Sequence, residues 1–414
     1  MFGHWSHSGF GTVTEALGTR FLAAGVDVRI LAVNHRGEPI NGPLAGRVWP
    51  TMMFGEPFGG NLSAPAINGN LWPQLDPEDQ WKPDAVLVIS DVTGLLSHMG
   101  RVTEAVLDVW KSVPVLHYCP IEGDNLNPVW KALWNIVRPI AMSDYGARII
   151  SAHIGQAVPR IYHGVDTDTF RQVSILNPAI VDGHRLGTRE ACKEYFGLTG
   201  RKIILRTDRN VVRKFYYRLL EAFVPIAQQE PDTDLLLHCE PDDIDGADLR
   251  AEVLRMPEDL RERVRFTGAH DTFKGLPVEG LVALYNAADV YVTTTGGEGF
   301  GLTLAESMAC ETPVVSTAWA AEVEVIGPGG VLVPPLMDTY GEPVRYHSKM
   351  GMDWVIPDPR GFVEPVLDLL RRPSRRRALG AEGRRHVQRS FNWDTATAEF
   401  LAILEEPDAR SIAS

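Results

Sequence analysis

The chain has 414 residues, of which 44% are hydrophobic and 22% charged, and its formal net charge is −13. This composition is ordinary for a globular protein and excludes an intrinsically disordered chain. The acidic balance argues against non-specific binding to nucleic acid, because neutralising phosphates requires clustered Lys and Arg. The length exceeds what one hydrophobic core usually serves, so two domains are expected.

The sequence contains neither a membrane-span pattern nor a secretory signal pattern. No apolar run reaches the roughly 18–20 residues of a membrane span, and the first residues lack the charged-then-apolar order of a signal peptide. The four cysteines form no CxxC pair and no zinc-type cluster with histidine, which favours reduced thiols. We therefore expect a cytoplasmic protein without a transmembrane segment.

The first half of the chain alternates between helix and strand patterns. A glycine loop, SGFGT at 8–12, leads into an amphipathic helix that Gly25 ends, and only Met1–Trp5 precede this loop as a short first strand. The stretch 37–83 is rich in Pro and Gly and is typical of an extended loop region with short elements. The other predicted elements are strands at 26–30, 85–90, 113–118, 139–142 and 161–165, and helices at 101–111, 127–135 and 143–153.

The alternation restarts in the second half. Strands are predicted at 202–207, 234–238, 264–267, 289–295 and 314–317, helices at 215–229, 247–256 and 278–287, and a final helical segment at 375–404. Such alternation predicts one parallel sheet with crossover helices in each half. Ligands of such sheets bind at the C-terminal ends of the strands.

The segment GGEGFG at 296–301 is the most specific motif in the chain. It connects a strand to an apolar helix, with Glu298 in the loop and Glu306 about one to two turns into the helix. Helix N–H groups without internal partners favour a phosphate, whereas carboxylates accept hydrogen bonds from hydroxyl groups. Taken singly, glycines in a turn and an acid near a helix start are usually structural. Together they predict a pocket for a sugar nucleotide.

Three cationic side chains, Arg209, Arg213 and Lys214, follow directly on the strand at 202–207. At the end of a parallel strand they are placed to neutralise a diphosphate, because Arg makes bidentate contacts and Lys supplies a point charge. Considered alone, a solvated basic loop is an equal alternative. The basic run RRPSRRR at 371–377 is interpreted as a solvated helix face.

These motifs make the sequence similar to the retaining glycosyltransferases of family 4, which have the GT-B fold. EGFGLTLAE at 298–306 resembles the family's Glu-x7-Glu motif, and RNVVRK at 209–214 resembles its phosphate-binding Arg and Lys loop. Supporting resemblances are SGFGT at 8–12, IYHGVDTDTF at 161–170 and RSFNWD at 389–394. The resemblance covers nearly the whole chain and implies an α/β protein with two Rossmann-like, doubly wound parallel-sheet domains facing a central cleft.

The resemblance also implies three parts: an N-terminal acceptor-binding domain at 1–168, a nucleotide-sugar-binding domain at 169–388, and a C-terminal helix at 389–414 packing back toward the N-terminal domain. The implied reaction moves a hexose from a UDP- or GDP-sugar to a hydroxyl acceptor, with retention of the anomeric configuration. The acceptor is open between a saccharide, a small molecule, a protein and a lipid. The acidic first half favours a soluble acceptor over one in an anionic membrane.

Other functions stay open beside this one. The same fold accommodates a catalytically silent nucleotide-sugar-binding protein, and also a sugar-nucleotide epimerase or a phosphorylase. A dinucleotide-dependent dehydrogenase fits least, because SGFGT lacks a full GxGxxG.

The family's functional residues carry over onto matching positions of this chain. By resemblance, Glu306 would hold the ribose hydroxyls and Glu298 the hydroxyls of the donor sugar. Arg209 and Lys214 would bind the diphosphate and stabilise it as it leaves. The family is thought to react on one face of the sugar, with the departing diphosphate helping to deprotonate the acceptor.

Backbone groups complete the implied donor site. The N–H groups around Phe300, Gly301 and Leu302 would add to diphosphate binding at the helix N-terminus. Gly9 and Gly11 would let a loop of the N-terminal domain approach the phosphates closely.

His117 and two Asp-x-Asp segments are further candidates for functional roles. His117 ends a strand and matches the position near the reacting sugar in many family members, but a hydrogen-bonded core histidine is an equal interpretation. The Asp-x-Asp segments at 166–168 and 243–245 resemble a metal-binding motif, although acidic residues are common in such turns. With cationic side chains available for the diphosphate, no metal and no other cofactor are expected.

Overall fold

The computed structural model describes residues 1–6, 8–267 and 275–406. The chain forms two compact units. The first unit contains residues 1–121 and 125–164 and the segment that begins at Trp393. The second contains Glu122–Asp124 and Val165–Asn392. In the described part of the chain, no helix has the length and apolar character needed to cross a membrane.

The first unit is built from six strands and the helices that connect them. In chain order its elements are β1 (Phe2–His4), α1 (Gly9–Ala23), β2 (Ile30–Val33), β3 (Val48–Pro50), α2 (Gly60–Ile67), α3 (Trp72–Leu75), β4 (Val86–Ile89), α4 (Val92–Met99), α5 (Glu104–Lys111), β5 (Val115–Cys119), α6 (Trp130–Trp134), β6 (Arg138–Ala141) and α7 (Asp144–Ile154).

These strands form one parallel sheet in the order β3-β2-β1-β4-β5-β6. The short first strand is confirmed: β1 lies inside the sheet, with Gly3 opposite both Ala32 and Ile89. All residues of β2, β4 and β5 are buried, as expected for parallel strands covered by helices on both faces.

The second unit begins with a small hairpin and continues as a second α/β alternation. Its elements are β7 (Ala179–Val181), β8 (His184–Leu186), α8 (Arg189–Tyr195), β9 (Lys202–Arg206), α9 (Tyr216–Gln229), β10 (Thr233–Leu237), α10 (Leu249–Leu254), α11 (Glu258–Arg261), β11 (Val264–Phe266), α12 (Val278–Ala287), β12 (Val290–Thr293), α13 (Leu302–Ala309), β13 (Val314–Thr317), α14 (Glu322–Ile326), β14 (Gly330–Val333), β15 (Arg345–His347), β16 (Asp353–Val355), α15 (Pro359–Arg371) and α16 (Pro373–Ser390). The chain's last described helix is α17 (Trp393–Glu405).

The main sheet of the second unit is also parallel, in the order β11-β10-β9-β12-β13-β14. The chain order reverses between β9 and β12, which lie side by side with Leu205 opposite Tyr291. At such a reversal the loops leaving the two strands diverge and open a crevice, the usual ligand site of doubly wound sheets. The loops after β9 and β12 are those that carry the predicted cations and the GGEGFG motif.

Several predicted elements differ from the observed ones. The strand predicted at 26–30 is observed at Ile30–Val33, because a strand buried on both faces shows a continuous apolar run instead of alternation. The strand predicted at 161–165 is absent, and only an isolated bridge between Ala141 and Arg160 is formed there. The final helical segment is two helices, α16 and α17, which belong to different units.

The break between α16 and α17 separates two aromatic anchors. Phe391 packs edge-on against Phe300 in the second unit, with ring centroids 5.1 Å apart. Trp393 stacks near His163 in the first unit at 5.8 Å, and a Cβ at Gly164 would lie 2.3 Å from the Trp393 side chain and its backbone N. The chain passes between the units at 164/165 and 392/393, whereas the boundaries predicted from the sequence are 168/169 and 388/389.

A three-residue segment of the first half, Glu122–Asp124, lies in the second unit instead of the predicted N-terminal domain. Asp124 and Asp353 exchange both backbone hydrogen bonds, at 3.1 and 2.8 Å. The Arg345 guanidinium also binds both carboxylate oxygens of Asp124. The segment thus joins the β15–β16 hairpin through an isolated antiparallel bridge, a long-range pairing that sequence periodicity does not reveal.

The basic run at 371–377 carries ion pairs with acidic residues of the same unit. The pairs are Arg371 with Glu230, Arg372 and Arg375 with Asp368, and Arg376 with Asp289. Four of its arginines are thereby engaged within the unit, in line with a solvated helix face.

Helix α17 packs into the hydrophobic core of the first unit. Phe400 is fully buried, and its ring lies 4.9 Å from that of Tyr118 and 6.0 Å from that of Phe21. We expect Phe400→Ala to lower the free energy of unfolding of the first unit by about 3–5 kcal/mol, because it leaves a cavity. Urea denaturation measures this change. Leu254→Ala, at a 66% exposed position of the second unit, is the control and should stay within about 0.5 kcal/mol of the unaltered protein. Equal effects of both substitutions would contradict the assignment.

Candidate functional site

The candidate site lies where the loops after β9 and β12 meet. The loop after β9 ends in a 3-10 turn at Val212–Lys214, and the loop after β12 contains Gly296–Gly301. The Gly296 N–H donates to the carbonyl of Arg213 at 2.8 Å, so the two loops are joined directly. The sequence therefore correctly predicts that these loops share one sheet edge.

The carboxylate of Glu298 lies between two cations. Lys214 Nζ is 2.5 Å from Glu298 Oε1, and Arg213 Nη1 is 3.1 Å from Oε2. Burial alone would raise the pKa of Glu298, but the charges of Lys214 and Arg213 outweigh burial and lower it. Glu298 is thus an ionised carboxylate held in a buried position.

Lys214 is positioned by a second buried carboxylate, Asp208. Lys214 Nζ lies 2.8 Å from Asp208 Oδ1, and Arg206 Nε lies 3.1 Å from Asp208 Oδ2. The hydroxyls of Thr293 and Thr303 also donate to Asp208, at 2.9 and 3.2 Å. Burial would raise the pKa of Asp208, but Lys214 and Arg206 lower it well below its usual range. The buried charges are therefore paired and hydrogen-bonded, as low-dielectric surroundings require.

Arg213 connects Glu298 to the segment at 122–124. Its Nη2 lies 2.9 Å from Glu122 Oε1, and its Nη1 also donates to the carbonyl of Gly297 at 3.0 Å. A Cβ added at Gly297 would lie 1.8 Å from the carbonyl oxygen of Glu122, and Gly297 has a φ of +154°. Only glycine fits at this close backbone approach.

The predicted helix N-terminus is present beside these charges. Helix α13 begins at Leu302, and its N-cap Gly301 has a φ of +95°, where an added Cβ would lie 2.7 Å from the side chain of Leu304. Phe300 is buried against Phe391 and thereby fixes the approach to the helix. The first N–H groups of a helix lack intrahelical partners and favour an anion.

Glu306 lies in the second turn of α13 and is also buried. Its Oε2 accepts a hydrogen bond of 2.8 Å from the Tyr285 hydroxyl, and that hydroxyl lies 3.1 Å from Thr207 Oγ1. Burial raises the pKa of Glu306 to about 7, and the hydrogen bond from Tyr285 offsets only part of this rise. Glu306 is therefore an acid that changes its charge near neutral pH.

Arg209 is not brought together with the other predicted residues. Its guanidinium binds both carboxylate oxygens of Asp243 at 2.7 and 2.9 Å and Asp245 Oδ2 at 2.8 Å, and its side chain is 49% exposed. The hydrogen bond to Asp243 is the main reason why the pKa of Arg209 is raised. The Asp-x-Asp segment at 243–245 therefore binds the guanidinium group of Arg209.

The other Asp-x-Asp segment closes a turn. Asp166 Oδ1 accepts the backbone N–H of Asp168 at 3.0 Å, and Asp166 Oδ2 accepts the hydroxyl of Thr169 at 2.6 Å. Among residues 1–6, 8–267 and 275–406, no group of three or more His, Cys, Asp or Glu side chains is arranged to hold a metal ion.

His117 belongs to the core of the first unit and not to an open surface. Its ring is fully buried in β5, with Nε2 3.1 Å from the Ser90 carbonyl and Nδ1 accepting the Trp134 indole N–H at 3.3 Å. Burial lowers the pKa of His117 to about 4. Both ring nitrogens are occupied by the protein, so the geometry fits the core interpretation and leaves no nitrogen for a sugar.

Gly9 and Gly11 lie in the first turn of α1 in the first unit. Gly9 is the first helical residue, and the N–H of Gly11 donates to the side chain of Ser8, the N-cap, at 3.2 Å. A Cβ at Gly11 would lie 1.9 Å from the carbonyl oxygen of Ser6. The absence of a side chain at Gly11 is thus already required by the turn itself.

Comparison with known sequences identifies the central part of the second unit. Residues 201–342 match the family described as Glycosyl transferases group 1. The match lies entirely within the second unit. It contains β9, β12 and the whole Lys214–Glu298 arrangement.

Two curated relatives illustrate the similarity to glycosyl transferases of group 1. The mannosylfructose-phosphate synthase of Agrobacterium fabrum is 30% identical over 181 residues, which cover 43% of this chain and 35% of the relative. The GDP-mannose-dependent alpha-(1-6)-phosphatidylinositol monomannoside mannosyltransferase of Mycolicibacterium smegmatis is 27% identical over 259 residues, which cover 60% and 56%. The chain spans between about a third and just over half of the length of these relatives.

A solved structure extends the similarity to the whole fold. The sucrose-phosphate synthase of Thermosynechococcus elongatus superposes with a TM-score of 0.67 at 20% identity, covering 99% of this chain and 96% of that chain. The group 1 segment is therefore part of a chain with the GT-B fold, and the predicted pair of parallel α/β sheets is confirmed.

Several residues of the site are not individually predicted by the sequence. Arg213 is grouped with the other cations but assigned no role of its own, and Asp208, Glu122 and Tyr285 are not proposed as site residues. Asp208 had a detectable signal, since it follows β9 almost directly at the C-terminal edge of the sheet. The contacts of Glu122 and Tyr285 come from distant parts of the chain and carry no local pattern.

Because the pKa of Glu306 is raised, replacing this acid with a neutral residue should change the free energy of unfolding in a pH-dependent way. A folded-state pKa of about 7 against an ordinary value of 4.5 means that the stability from the bound proton is full below about pH 4.5 and is lost as the pH rises through 7. Relative to the unaltered protein, Glu306→Gln should therefore be more stable at pH 8 than at pH 5, by up to about 3 kcal/mol. Urea denaturation at both pH values measures this difference. The exposed Glu364→Gln is the control, and an unchanged difference between pH 5 and pH 8 for Glu306→Gln would contradict the assignment.

Proposed function

We propose that this protein is a glycosyltransferase that moves a hexose from a nucleoside diphosphate sugar to a hydroxyl acceptor, with retention of the anomeric configuration. The observation that carries the proposal is the buried Glu298 carboxylate, bound by Lys214 and Arg213 beside the N-terminus of α13. Carboxylate, cations and helix N-terminus lie together where the strand order reverses. A sugar diphosphate needs these three kinds of group, because it presents hydroxyls and an anion side by side.

In this proposal each half of the donor has its own partners. Glu298 accepts hydrogen bonds from hydroxyls of the sugar, while Lys214 and the N–H groups around Phe300, Gly301 and Leu302 bind the diphosphate. Glu306 accepts the ribose hydroxyls, a role that its ionised form serves best.

The chemistry follows from charge stabilisation. Breaking the bond between sugar and diphosphate builds negative charge on the leaving oxygen, and preorganised cations with a helix N-terminus stabilise that charge. The acceptor oxygen bonds to the anomeric carbon on the face from which the diphosphate departs, and the departing diphosphate takes the acceptor's proton, so the configuration is retained. No protein nucleophile is required, and the protein contributes positioning and electrostatics.

The names of the relatives guide the choice of donor. One relative is described as GDP-mannose-dependent, and another as a mannosylfructose-phosphate synthase. We propose GDP-mannose as the first donor to test, followed by UDP-sugars. The proposed acceptor is a molecule with a free hydroxyl group, and no metal or other cofactor is included in the proposal.

Donor binding and turnover test the proposed function. Incubation with GDP-mannose or a UDP-sugar without acceptor should raise the melting temperature of the protein. It should also give slow hydrolysis of the donor, which mass spectrometry measures.

Substitutions at the site should weaken these effects. Glu298→Gln should lower the hydrolysis rate about 100-fold, because the charge that binds the sugar and pairs with the cations is lost. Glu306→Ala should abolish the thermal shift. Lys349→Ala, at an exposed position, is the control for Lys214→Ala, and only the latter should weaken donor binding.

Each outcome separates the competing functions. If no nucleotide sugar stabilises the protein, the glycosyltransferase proposal is wrong. Stabilisation without hydrolysis or transfer by any donor would instead favour a silent nucleotide-sugar-binding protein.

Arg209 is paired with Asp243 and Asp245, and in this proposal it binds the diphosphate after leaving them. Asp243→Asn should weaken the contact between this loop and Arg209, so that Arg209 is released to the phosphates. Binding of GDP or UDP, measured by calorimetry, should then become about fivefold tighter. Asp242→Asn is the matched control, since it removes the same charge from the same loop. Equal effects of both substitutions, or a gain that persists in an Arg209→Ala background, would exclude Arg209 as a phosphate ligand.

A further inference from the structure

Glu322 is a buried acid directly behind Glu298. It is the first residue of α14, follows β13 after a four-residue connection, and has no exposed surface. Its Oε2 accepts the backbone N–H of Glu298 at 3.1 Å. The neighbouring N–H of Ala321 donates to the Glu298 carbonyl at 3.3 Å. Both backbone polar groups of Glu298 are therefore held by the start of α14.

The surroundings of Glu322 favour the neutral acid. Among the described residues, its Oε1 is buried without a hydrogen-bond partner. Burial and then the negative charge of Glu298 raise the pKa of Glu322 well above its ordinary value, and Lys214 opposes this only in part. When two carboxyl groups lie close together in such surroundings, one is ionised and the other is protonated.

We propose that Glu322 is a positioning residue of the donor site, whose side chain fixes the backbone of Glu298 and hence the place where the Glu298 carboxylate meets the donor sugar. This inference rests on the glycosyltransferase function proposed above. It assigns a role in that function to Glu322, a residue that acts through the backbone of Glu298 and not through a charge of its own on the cations or on α13.

The neutral state of Glu322 matters for the charges in front of it. An ionised Glu322 would place a second carboxylate against Glu298 and would compete with it for Lys214. Repulsion would then shift the Glu298 loop, and a displacement of about 1 Å at a reacting group costs on the order of 100-fold in rate. A rise in pH that ionises Glu322 would therefore lower activity without removing any group that contacts the donor.

Two substitutions at Glu322 separate hydrogen bonding from titration. Glu322→Gln keeps an oxygen acceptor for the Glu298 N–H and cannot ionise, so kcat/KM for donor hydrolysis should stay within about threefold of the unaltered protein at pH 7 and should not decline where the unaltered protein does at alkaline pH. Glu322→Ala removes the acceptor and should lower kcat/KM about 10- to 100-fold. Glu324→Gln, on the same helix, is the matched control and should keep the unaltered pH profile.

Two measurements test the inference without relying on turnover. At pH 8, where Glu306 is largely ionised, the infrared difference between the unaltered protein and Glu322→Gln should contain the C=O band of a protonated carboxyl group. Hydrogen exchange of the Glu298 amide should be at least tenfold faster in Glu322→Ala than in Glu322→Gln.

The results distinguish this inference from the function on which it rests. Absence of donor binding and hydrolysis in the unaltered protein would refute the proposed function, whereas the infrared band and the amide exchange would still decide the role of Glu322. A missing carboxyl band, or equal exchange of the Glu298 amide in both variants, would overturn the inference. So would an alkaline decline in Glu322→Gln that matches that of an active unaltered protein.

Discussion

The ammonium group of Lys214 lies between two buried carboxylates, and the arrangement of the candidate site depends on that pairing. An isolated buried carboxylate is strongly disfavoured, so Asp208 and Glu298 retain their charges only because a cation lies between them. Asp208 belongs to the loop after β9, and Glu298 belongs to the loop after β12. One side chain thus ties together two loops that leave the sheet in opposite directions.

The same pairing prepares the site for an anionic ligand. Lys214 and Arg213 are held close to the helix N-terminus by carboxylates of the protein, so little reorganisation is needed when phosphate oxygens approach. In the proposed reaction, the incoming donor exchanges some of these internal contacts for its own.

The sequence reveals the parts of this protein that depend on local pattern. Strands at 202–207 and 314–317 and the helix at 278–287 are found within a residue or two of their predicted bounds, because they are apolar runs preceded by Gly or Pro. From parallel connectivity alone, the meeting of the RNVVRK and GGEGFG loops could also be predicted. The sequence could not reveal that Arg209 turns toward Asp243 and Asp245, since several orientations of a long exposed side chain satisfy the same local sequence.

Burial decides the remaining differences. A histidine at the end of an apolar strand has the same sequence context whether it faces the core or a ligand, and His117 is enclosed by Ser90 and Trp134. Glu322 is an acid among alanines and valines, which resembles an ordinary solvent-exposed helix start. Only the three-dimensional contact with the Glu298 N–H distinguishes it.

The distribution of the chain between the two units has a consequence for biosynthesis. The first unit needs the helix that begins at Trp393, and the second needs the segment Glu122–Asp124 from within the first. During translation, the first sheet emerges from the ribosome well before the helix that covers Tyr118 and Phe21. The N-terminal unit therefore completes its core last, after residues 165–392 have been made, and a nascent chain stalled before residue 393 leaves uncovered the aromatic surface on which α17 packs.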